Sequence, residues 1–153
     1  RAVLDAGRRP RAGGDLHLHP TPALPAVARG FEGEEEQRLY AQGIAYFNDC
    51  EFFEAHEVWE ELWTEYRGPS RKFLQGLIQA AVALHHFGNG NVNGAAKVYR
   101  TSRGYLEGYL PRHLGLDLNS FLASYAECFA ALLAEPEERP EIDPELIPEI
   151  HLT

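Results

Sequence analysis

Five blocks in which apolar residues recur every three or four positions, each closed by glycine, proline or asparagine, run from residue 34 to residue 134. That period is the signature of amphipathic helices and confines the chain to an all-α fold. The blocks predict helices over 34–48, 51–66, 70–88, 92–109 and 118–134. An acidic first turn (Glu34, Glu35, Glu36) suits the start of the first, because carboxylates complement the positive end of a helix. Gly68-Pro69 ends the second, Gly88-Asn89-Gly90-Asn91 breaks the chain before the fourth with Asn91 as N-cap, and Pro111 closes the fourth. The third block (Phe73, Leu74, Leu77, Ile78, Ala81, Val82, Leu84) is apolar over more than half its circumference, which predicts the central, most buried helix.

Residues 31–134 therefore form the expected single bundle domain. Residues 1–30 mix Gly, Pro and Arg without a period and read as an irregular lead-in. His17-Leu18-His19 within it is followed by Pro20 and Pro22, which favours a loop over a metal-binding strand. Residues 135–153 carry prolines at 136, 140, 144 and 148, forbidding an ordinary helix; Ile142, Leu146, Ile147, Ile150 and Leu152 predict an extended tail anchored on the bundle. Gly43, Tyr46, Ala55 and Trp59 have the spacing of small and aromatic positions in one tetratricopeptide unit, so the first two helices should form an antiparallel hairpin.

A net charge of −9 argues against nucleic acid and anionic membranes as partners. The charge is blocked: residues 31–66 carry −10 and residues 67–113 carry +6. The simplest expectation is that neighbouring helices pair internally, Arg71 with Glu61 or Glu65, and Lys97, Arg100 and Arg103 with the acidic helices rather than with a phosphate. Two cysteines without framework spacing, no secretory signal and no apolar run near 18 residues predict a cytoplasmic protein that crosses no membrane; oligomeric state stays open.

The chemistry concentrates in His56-Glu57-Val58-Trp59-Glu60-Glu61-Leu62-Trp63. If the second and third helices are antiparallel neighbours turning near Gly68, facing residues have numbers summing to roughly 136, which sets Glu60 opposite Gln75 and His56 opposite Gln79. Three readings compete. The four side chains close a hydrogen-bond network that fixes register. Alternatively, His56 and Glu60 are N and O ligands of a divalent transition metal, with His85 as a third ligand that the register displaces by about 8 Å. Or Trp59, Trp63, Tyr66 and Phe73 wall a pocket for a small ligand or a protein segment. Any reaction would be metal-assisted hydrolysis with Glu57 or Glu61 as base; the rival is a non-catalytic interaction or scaffold module. The catalytic residues are unknown at this level. Glu60 stands where the zinc-protease pattern needs a second histidine.

The run Phe47-Asn48, Phe52 to His56, Glu60 to Trp63, Gly68-Pro69, Arg71 and Phe73 to Gln79, followed by His85, Gly90-Asn91 and Gly94-Ala95, resembles the domain of unknown function 309 family. That family is marked by HxxxExxW or HxxxExxY, met here by His56, Glu60 and Trp63. The resemblance implies small all-helical bacterial and archaeal proteins of unassigned activity, with metal binding suggested for the motif. It raises His56 and Glu60 as functional residues. The candidates for binding, read from the residues themselves, are Trp59, Trp63, Arg71, Gln75, Gln79 and His85.

Overall fold

The computed structural model describes residues 31–153; the lead-in with His17 and His19 lies outside them. Among the described residues five α-helices follow one another: α1 (Glu34–Asn48), α2 (Phe52–Glu65), α3 (Arg71–Gly88), α4 (Val92–Glu107) and α5 (Leu118–Ala134). The all-α bundle that the periodicity dictates is therefore the fold, and the helix limits fall within two residues of the breakers that predict them. Among the described residues no helix is long and apolar enough to cross a membrane.

Local chemistry sets the ends. The Gly33 N–H donates to the Glu36 carboxylate at 3.3 Å, and the acidic turn sits on the first exposed amides of α1. Asn91 caps α4 by accepting from the Gly94 N–H at 3.1 Å, and Asp117 caps α5 by accepting from the Ser120 N–H at 3.2 Å.

Helix α3 is the axis of the bundle. Phe73, Leu74, Leu77, Ala80, Ala81, Ala83 and Leu84 are fully buried, with α2 on one side and α4 on the other. Gly76 sets the α3–α4 approach: a Cβ there would lie 2.7 Å from Leu106 Cδ2. Glycine plays the same part in the α1–α2 hairpin, where a Cβ on Gly43 would fall 2.0 Å from Nε1 of the fully buried Trp59. The small-residue spacing read from the sequence thus has a steric cause.

Between α4 and α5 the periodicity is silent, and the structure places a small antiparallel hairpin there. Strands β1 (Arg112–His113) and β2 (Leu116–Asp117) pair Arg112 with Asp117 and His113 with Leu116. Its two-residue turn, Leu114 (φ 47°) and Gly115 (φ 82°), is left-handed at both positions, as the twist of a tight hairpin demands. Leucine at the first of them is an unusual choice, so no Asn-Gly signal announces the turn. α4 stops at Glu107, short of the expected 109, and Tyr109 instead donates its hydroxyl to Pro69 O at 2.8 Å.

The tail packs on the bundle. Ile142, Ile147 and Ile150 are buried, and Asn48 clasps Ile150 reciprocally: its Nδ2 donates to Ile150 O at 2.8 Å and its Oδ1 accepts from Ile150 N at 2.7 Å. The expected extended path is interrupted by two single 3-10 turns, Pro136–Glu138 and Pro144–Leu146. Each starts on a proline, whose missing N–H costs nothing at a first helical position.

Candidate functional site

Where α2, α3 and α4 meet, the surface opens into a groove with a volume of about 420 Å³. His56, Glu60 and Trp63 reach it from one face of α2, and Gln75 and Gln79 from one face of α3. The antiparallel register deduced from the sequence brings these five side chains together. Ile78, Val82 and Val98 supply apolar wall, while Lys97 and Thr101 of α4 close the third side. That third wall escaped sequence reasoning, although the i, i+4 pair Lys97 and Thr101 marks one face of α4.

His56 is turned by its own helix. Its Nδ1 lies 3.0 Å from Phe53 O, and since a carbonyl only accepts, this bond selects the Nδ1–H tautomer of the neutral ring, in which Nε2 is the acceptor. Nε2 stands 3.7 Å from Glu60 Oε1, beyond hydrogen-bond reach. The imidazole is 20 % exposed and the Glu60 side chain 56 %, so the carboxylate occupies the rim and does not look inward as expected.

The closed four-residue network does not form. Gln75 Nε2 donates to Tyr105 Oη of α4 at 3.1 Å, a partner outside the proposed set. Gln79 Oε1 and Trp63 Nε1 are buried with no hydrogen-bond partner among the described residues. An orphaned buried polar atom costs about 1–3 kcal/mol, so this seam is arranged at the expense of stability.

Other expected residues fall elsewhere. Trp59, one turn before Trp63, is fully buried in the α1–α2 core and donates Nε1 to Tyr40 O at 3.2 Å. Phe73 is core, and Tyr66 packs on Phe31 while its hydroxyl accepts from the Ser70 N–H at 3.1 Å. Of the four predicted aromatic walls, only Trp63 lines the groove. Arg71 makes no ion pair with Glu61 or Glu65: its guanidinium lies 3.6 Å from the Trp63 ring centroid and its Nε donates to Tyr66 O at 2.9 Å. A cation on an indole face is a favourable alternative to an exposed carboxylate partner.

The expected pairing of the α4 cations with acidic helices is also absent. Arg103 meets Glu107 of its own helix at 3.2 Å. Lys97 and Arg100 make no ion pair with any described residue. Glu57 and Glu61, the proposed bases, are exposed and outside the groove lining, since one step along a helix turns a side chain about 100° from His56 and Glu60.

Among the described residues the groove offers a metal an incomplete donor set. His56 and Glu60 give two ligands, where zinc takes at least three from protein, and Lys97 places a positive charge in the same groove. His85, the suggested third ligand, lines an adjoining cavity with His56, and both imidazoles pack against the Phe53 ring (centroids 5.6 and 5.2 Å). The Asn89 side-chain amide stands 3.0 Å from His85 Nε2. Among the described residues no group of three His, Cys, Asp or Glu side chains is placed to hold a metal ion.

The fold and groove define a small helical-bundle protein with a polar seam among three helices. Residues 40–98 match the family model described as domain of unknown function (DUF309), so this stretch of the chain is similar to that family. The matched segment runs from the end of the first α1 turns through α2 and α3 into α4, and so contains every groove residue except Thr101. An uncharacterized protein of Aquifex aeolicus (strain VF5) is 36% identical over 66 residues. The aligned stretch covers 42% of this chain and 20% of that relative.

Proposed function

We propose that the α2–α3–α4 groove is a binding site for a small polar molecule, and that its residues are kept polar for that ligand. The observation carrying this reading is the pair of orphans, the Trp63 indole N–H and the Gln79 carbonyl oxygen, in the walls of one groove. A protein gains nothing in stability from such groups, whereas a site that must discriminate by hydrogen bonding requires them. The surrounding inventory suits a ligand with both donors and acceptors: His56 Nε2 and the Glu60 carboxylate accept, Lys97 donates, and Ile78, Val82 and Val98 cover an apolar face. No reaction follows from this set, and among the described residues metal-assisted hydrolysis finds no third ligand in the groove.

The two tryptophans make a built-in reporter. In a titration of ¹⁵N-labelled protein with a library of small polar fragments, binders should move the Trp63 indole resonance and leave that of Trp59 in place. Fragments that move neither, or both equally, contradict the reading. A parallel zinc titration that shifts His56 and Glu60 with one-to-one stoichiometry would favour the metal reading. Retention of the chain by a protein partner through this face, with no fragment binding, would favour the interaction module.

A further inference from the structure

The groove does not end at Thr101. On its far side a wider, shallower depression of about 710 Å³ continues between α3 and α4, and Thr101 belongs to both. The Gln75–Tyr105 hydrogen bond spans the divide, since Gln75 lines the first and Tyr105 the second.

The second depression has a different chemistry. Lys72 of α3 and Arg100 of α4 both line it, and no Asp or Glu does. Neither side-chain cation makes an ion pair or hydrogen bond with any described residue, and neither does the Lys97 ammonium at the neighbouring edge. Three charges that no described carboxylate neutralises are thus gathered in a protein whose overall charge is −9, and the acidic residues of α1 and α2 pair with none of them. Gly104, one turn beyond Arg100, leaves the helix surface bare: a Cβ there would meet no atom within 4 Å. The floor has room for a group that no described residue supplies.

We propose that this depression is an anion subsite, formed by Lys72 and Arg100 over the bare surface at Gly104, that takes the phosphate group of a small phosphorylated ligand whose body lies in the adjoining groove. The inference rests on the reading of that groove as a ligand site and names the charged end of its ligand. An arginine offers a phosphate two parallel N–H donors and a lysine adds a mobile charge. The net negative charge of the protein disfavours an extended polyanion, which would be repelled beyond the depression.

Inorganic pyrophosphate at constant ionic strength is the probe, followed by calorimetry and by backbone amide shifts. Saturable binding is expected, with shifts centred on Gly104 and Gly108. Lys72→Gln with Arg100→Gln should weaken it about tenfold or more, the usual worth of a charge-assisted bond. Gly104→Leu should also abolish it, and because leucine forms helix better than glycine and fills open space, that variant keeps its fold. The control Arg139→Gln, remote from the depression, should change nothing.

Absence of pyrophosphate binding overturns the inference, as does equal weakening by Arg139→Gln. A short single-stranded oligonucleotide bound more tightly than pyrophosphate and indifferent to Gly104→Leu would also overturn it in favour of a polyanion surface. The two readings fail separately. Fragments that move Trp63 without pyrophosphate binding leave the groove standing and remove the anion subsite; pyrophosphate binding at Gly104 with a silent Trp63 does the reverse.

Discussion

Trp59 and Trp63 stand one turn apart on α2 and have opposite fates. Trp59 fills the α1–α2 seam, packed where Gly43 has no side chain, with its N–H paired to Tyr40 O. Trp63 looks into the seam shared with α3 and α4, its ring under the Arg71 guanidinium and its N–H unpaired. One seam is closed and satisfied; the other is open and carries polar groups that do not pair among themselves. The difference separates what holds the bundle together from what the bundle is available to do. Stability resides in the first seam and in α3; the second gives some of it up.

The sharpest way to break the comparison is to fill the closed seam. Gly43→Val places carbon where the Trp59 ring lies and should cost about 3 kcal/mol or more, combining overpacking with a lost hydrogen bond. Urea denaturation would show it, and a near-neutral result would mean that the hairpin is not closed as described. Next in size is a matched pair. Trp59→Phe should lose about 2 kcal/mol through the void and the missing donor, whereas Trp63→Phe, which removes an orphan, should stay within about 1 kcal/mol of the parent. Equal losses at the two positions would erase the distinction.

The smallest expected effect is in the pH dependence. Burial pushes the His113 imidazole below its ordinary value, where its Nε2 meets Ser70 Oγ at 2.8 Å and its ring packs on Phe73 and Tyr109. The unfolded chain therefore binds this proton more readily than the folded one. The contribution is present above the ordinary imidazole value and is lost as the pH falls through it towards the lowered folded value. Denaturation midpoints between about pH 8 and about pH 5.5 should fall more steeply for the parent than for His113→Asn. Parallel slopes would remove His113 from the account.

Most of the bundle is legible in the sequence because its helices are marked twice, by apolar period and by Gly, Pro or Asn breakers. The two-strand hairpin is not, since Leu114 adopts a left-handed conformation that its residue type does not advertise. Half of the groove is equally readable: the i, i+4 pairs His56/Glu60 and Gln75/Gln79 and the turn at Gly68 fix which faces of α2 and α3 meet. The α4 wall depends on how closely α4 approaches α3, a matter settled by Gly76 beneath Leu106. The tryptophans look alike in a periodic stripe, and only the register against Gly43 assigns one to the core. Charge blocks misled for a related reason. Opposite net charges on successive helices do not bring particular side chains within reach, and Arg71 finds an aromatic face while Lys97 and Arg100 find no described carboxylate.

On the reading proposed above, the polar seam serves a ligand and not the fold. Scanning calorimetry of the double variant His56→Leu with Gln79→Leu tests this most directly, because it replaces two polar groups of the seam at once and removes the orphaned acceptor. A melting temperature equal to the parent's, or higher by about 2–4 °C for each kcal/mol gained, is the predicted result. A melting temperature lower by several such steps would show that His56 and Gln79 hold the helices in register, and would contradict it.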